Sequence, residues 1–290
     1  MAYYPQSTTG LSYISYPAGP TAGGANLTGG VANTKGTYVE YVASSPFLTN
    51  RVTCVALNAN DGTAAQSFLF DIATGAAASE VVVLPNIMVS QGNGQNTAGV
   101  FPFNLAIAAS TRIAGRAQCT NASKAVDVGV MLQAAGGVVG VSSYTNYGSA
   151  TADSGGVQVD PGGTANVKGA YAQISASTSA IIQHLIVMTG VGSNNLPVTA
   201  LWDIDLATGA AASEVVLIPD IFASALSPGT NLGNSRQNAL EFLTYIAAST
   251  RLAARASCSI NDATDRLFDI ALLTATAPAE SGGEHSVVFG

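Results

Sequence analysis

Charge is the scarcest commodity in this chain: Asp, Glu, Lys and Arg make up 9% of 290 residues, 10 basic against 17 acidic, for a formal net charge of −7. No basic run or stripe breaks the pattern, so the electrostatic footprint of a nucleic-acid binder is missing and nucleic acid is not expected as a partner. No apolar run approaches the roughly 18 residues of a helical membrane span. The amino end, Met1 to Ser7, lacks the basic start and apolar core of a signal peptide, so synthesis in the cytoplasm and no membrane partner are expected. Cys54, Cys119 and Cys258 cannot all pair within one chain, and no two are spaced as a metal knuckle. Around Cys119 and Cys258 the alternation reads as inward, which makes them buried thiols acting as small hydrophobes, with an intermolecular disulfide as the alternative.

Catalytic constellations are equally sparse. The two histidines, His184 in an apolar stretch and His285 in a Gly-rich tail, are not spaced for a metal, and each reads as a histidine without a duty. There is no Gly-x-Ser-x-Gly elbow and no phosphate loop. Asp203 and Asp205 form a carboxylate pair of the kind glycosidic chemistry uses, but Leu69 stands where Asp203 stands in a second copy of the same motif. Neither catalytic residues nor a cofactor nor a metal is expected, and the chain is read as no enzyme.

What the chain does have is a sentence said twice. Asp71-Ile72-Ala73-Thr74-Gly75-Ala76-Ala77-Ala78-Ser79-Glu80-Val81-Val82 returns as Asp205-Leu206-Ala207-Thr208-Gly209-Ala210-Ala211-Ala212-Ser213-Glu214-Val215-Val216. Upstream, Gly29 to Tyr38 matches Gly162 to Tyr171; downstream, Ile107 to Cys119 matches Ile246 to Cys258. Recurrence of this length means two copies of one domain, with length differences confined to loops. The expected organisation is an N-terminal arm over 1–28, a first repeat over 29–140, a linker over 141–161, a second repeat over 162–278 and a C-terminal tail over 279–290.

Within each repeat the periodicity is that of strands. Phe68, Phe70 and Ile72 share one parity with Trp202, Ile204 and Leu206 at the matching places, while Asp71 and Asp205 take the other. The Ala-Thr-Gly-Ala-Ala-Ala-Ser segment reads as a turn centred on glycine, followed by a strand that Pro85 or Pro219 closes. Further strands are expected at 37–43, 51–58, 101–107, 112–119 and 126–133. The fold class is therefore all-β: two tandem homologous antiparallel β-sandwiches, jelly-roll-like or immunoglobulin-like in size, behind an extended arm. The loops at 89–100 and 223–239 differ most between the copies, and a receptor-binding difference would be placed there.

Six of the ten basic residues sit at matched positions: Lys35 with Lys168, Arg112 with Arg251, Arg116 with Arg255. In a chain so poor in charge this points to a structural duty. The acids Asp71, Glu80, Asp205 and Glu214 are expected to pair with Arg112, Arg116, Arg251 and Arg255, within a sheet or across a subunit contact. Tyr3, Tyr4, Tyr13 and Tyr16 in the arm offer large contact area at low entropic cost and are candidates for docking on a neighbouring subunit.

The pattern Asp-Ile-Ala-x-Gly-Ala-Ala-x-Ser-Glu-x-Val-x-x-Pro-Asn, followed after a loop by Ile-x-Ala-x-Thr-Arg-Ile-Ala-x-Arg-x-Gln-Cys, resembles a module of tailed-bacteriophage virion structural proteins. The resemblance covers both repeats and not the arm or linker. It implies a virion location, no catalytic residues, and a capsid decoration or reinforcement role, with a neck or tail position as second choice. The implied partners are further copies of the chain, a trimer or ring being the architecture favoured, and other virion proteins such as the major capsid protein. The alternative expectation is a host-surface adhesin binding receptor or glycan through the divergent loops; a secreted polysaccharide-acting enzyme is disfavoured by the missing acid–base pair.

Overall fold

Alternating apolar residues organise this chain into strands. The computed structural model describes residues 12–17, 24–57, 66–91, 99–134, 140–190, 200–225, 237–261 and 267–276, and among them there is no helix. In order, the first half contains β1 (Ser12–Tyr16), β2 (Ala25–Thr28), β3 (Val39–Val42), β4 (Arg51–Leu57), β5 (Gln66–Thr74), β6 (Val81–Gln91), β7 (Gly99–Phe103), β8 (Ile113–Cys119) and β9 (Ala125–Ala134). The second half contains β10 (Thr145–Tyr147), β11 (Val157–Val159), β12 (Ala172–Ser175), β13 (Ile182–Gly190), β14 (Ala200–Thr208), β15 (Val215–Ala225), β16 (Gln237–Asn238), β17 (Leu240–Ile246), β18 (Leu252–Cys258) and β19 (Phe268–Ala275).

Four sheets result, antiparallel apart from the short β7·β16 pairing. Sheet I runs β1-β9-β4-β7-β16 with β2 also on β9; sheet II runs β3-β8-β5-β6. Sheet III runs β10-β19-β13-β17 with β11 also on β19; sheet IV runs β12-β18-β14-β15. In each repeat eight strands, interrupted in the second only by β16 on sheet I, are shared between two sheets in the same order, β2-β9-β4-β7 over β3-β8-β5-β6 and β11-β19-β13-β17 over β12-β18-β14-β15. That is the double-sheet jelly roll. Val52, Cys54 and Ala56 of β4, Val126, Val128 and Val130 of β9, and Phe68, Phe70 and Ile72 of β5 fill the first core; Leu185, Trp202, Ile204, Leu206 and Phe268 belong to the second. All three cysteines are buried thiols outside any disulfide, and burial pushes the Cys54 thiol up.

The strand expected to stop at Pro85 does not stop. β6 passes through Pro85 to Gln91, and β15 passes through Pro219 to Ala225. Both are outer strands of their sheets, so a missing proline N–H breaks no ladder bond. The disturbance is taken up as a bulge: register shifts on β5 and β14, and the residues after the prolines, Asn86 and Asp220, sit at φ 51 and 55. Of the two divergent loops, 92–98 and 226–236 lie outside the described residues.

The expected arm and linker both place strands on their own repeats. β1 and β2 pair with β9 as β10 and β11 pair with β19, with Leu27 of β2 and Val159 of β11 buried in the two cores. The registers align further: Thr53 faces Met131 as Ile186 faces Leu273, so Tyr16, opposite Val130, matches Tyr147, opposite Leu272. By the same count Tyr13 matches Tyr144, and the segments read Ser-Tyr-x-x-Tyr at both Ser12 and Ser143. Tyr3 and Tyr4 lie outside the described residues.

Repeat 2 lays the outer face of sheet III against β6, the edge strand of sheet II. Outward-pointing Ile186 and Met188 of β13 and Ala271, Leu273 and Ala275 of β19 join the cluster containing Leu69 and Met88, neighbours on β5 and β6 of sheet II. The backbone N–H of Met88 donates to Sδ of Met188 at 3.4 Å, and that of Tyr144 donates to Val83 O at 2.9 Å. The free edge of β6, which would otherwise offer unpaired backbone groups, is thereby covered.

Candidate functional site

Three groups of side chains stand out: the matched charges, a hydrogen-bonded chain between the repeats, and two sheet faces that are equivalent in fold and different in exposure.

The charges close on themselves within each repeat. Asp71 and Arg116 face each other across β5 and β8, with Arg116 Nε 2.9 Å from Asp71 Oδ2; Lys35 Nζ lies 2.8 Å from the other oxygen, which also accepts the N–H of Asn86 at 2.9 Å. The bulge at Pro85 thus delivers an N–H to the buried carboxylate. The guanidinium of Arg116 lies 4.6 Å from the ring centre of Tyr38. Repeat 2 copies this: Arg255 and Lys168 each reach Asp205 at 2.9 Å, and Arg255 lies over Tyr171 at 4.7 Å. Each lysine is brought in by a loop pressed against the backbone at a glycine, since a Cβ on Gly36 would come within 1.9 Å of Thr28 O and one on Gly169 within 2.6 Å of Asp160 O.

The second cluster clamps the repeated turn. Arg112 binds Glu80 at 3.0 Å, Glu40 at 2.7 Å and Gly75 O at 3.2 Å; Arg251 binds Glu214 at 2.9 Å and Gly209 O at 3.1 Å. Burial acts to raise Glu80 and Glu214, but hydrogen bonds from backbone and arginine outweigh it and both carboxyls fall below their ordinary value. Gly75 and Gly209 turn the chain at φ 107 and 105. With the lysine and arginine N–H groups donating to these carboxylates, the charges tie strands and turns together.

Between the repeats lies a chain that the sequence did not announce. Tyr144 Oη accepts the N–H of Asn104 at 3.1 Å and lies 2.8 Å from Nδ1 of His184, whose Nε2 lies 2.5 Å from Oε1 of Glu241. Asn104 Nδ2 also reaches Glu241, at 3.4 Å. Tyr144 packs edge-on against Phe103 and His184. His184, expected as a core or surface histidine, is buried between Tyr144 and Glu241, and it is these two that reach Asn104 of repeat 1. Both rings are buried, while Glu241 at the end of the hydrogen-bonded chain is exposed.

The sheet faces differ most. On sheet II, Ser67 and Met88 are 1% exposed, Met88 against Met188 and Ser67 beside Thr120, which reaches Asp153 of the connecting segment; their counterparts on sheet IV, Leu201 and Phe222, are 54% and 78% exposed. Leu69 between them is buried, and its counterpart Asp203 binds Lys168 at 3.3 Å. An apolar side chain has replaced a serine on the face that no described residue covers. At the opposite end, sheet I turns outward Thr53, Val55, Gly129 and Met131, where sheet III buries Ile186, Met188, Ala271 and Leu273. The recurring Ser-Tyr-x-x-Tyr segment was the sequence signal for this arrangement.

No group of three or more His, Cys, Asp or Glu is placed to hold a metal among the described residues, and no helix is long and apolar enough to cross a membrane. No family model matches the chain, and no curated protein matches it. Several solved structures are similar in outline. PNGF-II shares 8% identity at a TM-score of 0.39 over 94% of this chain and 66% of its own. PNGase F, a glycosylasparaginase from Flavobacterium meningosepticum, shares 9% at 0.41 over 91% and 94%. The stem and receptor-binding domain of spike protein P1 from bacteriophage PM2 shares 8% at 0.24 over 94% and 100%. Likeness this low transfers neither activity nor residue roles, and the chain stands as a tandem of β-sandwiches.

Proposed function

We propose that this chain is a non-catalytic structural protein of a bacteriophage particle, acting through protein–protein contacts, with capsid decoration or reinforcement as its role and a neck or tail position as the variant of it. The observation that carries the reading is the pair Met88 and Phe222: one position of the fold, sealed by protein in repeat 1 and presented as an exposed aromatic in repeat 2. Apolar side chains gathered on a sheet face mark a place where another surface sits. The repeated charge clusters support the reading by what they are bound to: Asp71, Asp205, Glu80 and Glu214 all hold basic partners of their own repeat. The fitting partners are other virion proteins and further copies of the chain, with no membrane, nucleic acid or cofactor involved.

The test is mass spectrometry and imaging of purified particles. Many copies per particle, distributed over the shell, neck or tail, are expected. A few copies confined to a fibre tip would support a receptor- or glycan-binding adhesin instead, and absence from the particle would overturn both.

A further inference from the structure

We propose that copies of this chain join head to tail, the outer face of sheet I of one copy seating on the β15 side of sheet IV of the next, as sheet III seats on β6 of sheet II within each chain. The proposal rests on the reading of the chain as an assembly protein and names its partner as a second copy of itself. Apart from β16 the jelly-roll strands of the two repeats correspond, so the chain carries two seats, β6 of sheet II and β15 of sheet IV, and two seating faces, sheets III and I. One seat and one face meet inside the chain. The other pair, the outer face of sheet I and the β15 side of sheet IV, finds no such complement among the described residues of the same molecule, and a heterologous contact between copies satisfies both.

Side chains at the two open ends fit this geometry. Sheet IV offers Phe222 and Leu201, where sheet II offers Met88 and Ser67. Sheet I offers Met131, 38% exposed, in the place of the fully buried Leu273, with Val55 in the place of Met188. Tyr13 completes the set. It is 48% exposed and occupies the position of Tyr144, which is 4% exposed and docks on Val83 O and the ring of Phe103. In the contact between copies Tyr13 has matching receivers, Leu217 for Val83 and Phe242 for Phe103, both half-buried on repeat 2. Thr53 and Gly129 replace Ile186 and Ala271, so the contact between copies is less apolar than the one within the chain, and it is reversible and concentration-dependent.

The experiment is sedimentation velocity of the full chain over a wide concentration range, with two variants, Phe222→Asp and Met131→Asp. The wild type is expected to grow in mass with concentration. Each variant alone is expected to lose at least about tenfold in association affinity, the size of loss that central interface positions give. Mixed in equal amounts, the two variants are expected to form a dimer and nothing larger, because each retains the face the other lacks. Leu201→Asp and Tyr13→Ala form a second pair, and thermal melting verifies that each variant is folded. A wild type that stays monomeric overturns the proposal. So does a Met131→Asp variant that assembles like wild type, which indicates a symmetric contact of sheet IV with itself, or a mixture of the two variants that stays monomeric. A monomer abundant in particles would remove head-to-tail joining and keep the structural role; a self-joining chain absent from particles would do the reverse.

Discussion

Lys35 and Lys168 occupy one position in the two repeats, both reach the aspartate at the heart of their own sheet, and their proton affinities move in opposite directions. For Lys35 burial is the largest effect and lowers it, with Asp71 opposing and Arg116 adding to the fall. For Lys168 burial also works against the charge, but hydrogen bonds to Asp205, Asp203 and Asp220 outweigh it and raise it. Leu69 and Asn86 stand in repeat 1 where Asp203 and Asp220 stand in repeat 2. Two acids added on one side of a sheet reverse the balance.

Lys35 is therefore expected to lose its proton before Lys168 in an alkaline titration followed by side-chain NMR. Lys168 contributes stability that is fully present below the unfolded lysine value and is lost as pH rises through its raised folded value. For Lys35 the sign is opposite: its charge costs stability, relieved as pH rises from its lowered folded value towards the unfolded one. Asp220→Asn should bring Lys168 down; no movement would mean that Asp220 is not a contributor.

Neutralising the central aspartate should hurt the first repeat more than the second. Asp71→Asn leaves Lys35 and Arg116 facing each other with no full negative charge between them, and is expected to cost about 3 kcal/mol, as breaking a buried ion pair does. Asp205→Asn leaves Lys168 with Asp203 and Asp220, and roughly half that loss is expected. Urea unfolding of the two variants measures the difference, and equal losses would contradict the asymmetry.

Asp269 should make the protein less stable between acid and neutral pH. Its carboxylate accepts the N–H of Gly156 at 3.1 Å; burial, followed by the nearby Asp153, raises it from 3.8 to about 6. Between those values the folded chain binds more protons than the unfolded one, so stability falls as pH rises from about 4 to 6 and stays lower above that. The loss is on the order of 3 kcal/mol. Asp269→Asn, which keeps an acceptor for Gly156, should flatten this slope in thermal melts taken across that range.

Tyr144→Phe removes a hydroxyl with two partners from the contact between the repeats, and a loss of about 1–2 kcal/mol is expected. Tyr147→Phe is the internal comparison. Its hydroxyl meets Ser179 within repeat 2 at an exposed site, and it should cost less than about 0.5 kcal/mol. Denaturant unfolding of both variants decides it, and equal costs would show that the hydrogen-bonded chain adds nothing to the contact.

Much of the fold was legible because a half-buried strand writes its inner face in every second residue. The parity of Phe68, Phe70 and Ile72 against Asp71 places the core side of β5, and the twofold recurrence places its counterpart in β14. The matched basic residues marked the charge clusters, yet which arginine meets which acid depends on register: Asp71 lies opposite Arg116, and Glu80 reaches Arg112 only because the turn at Gly75 folds back. Pro85 was misread as a terminator because a proline's effect depends on whether its strand is interior or outer, a property of sheet order. The pairing of His184 with Tyr144 and Glu241 was hidden for a simpler reason, since His184 has no histidine counterpart in the other repeat to mark it; Arg51 stands there.

The sequence by itself determined that there are two copies of one β-sandwich, which residues line each core, and which charges recur, because hydrophobic period and internal recurrence are written along the chain. Only the tertiary structure decided the fate of the outer sheet faces. Met88 and Phe222 are both apolar side chains on an outer strand, and local pattern cannot separate them. One is sealed and the other open because burial of an outer face is settled by what packs against it, and for Met88 that is Met188, a hundred residues away.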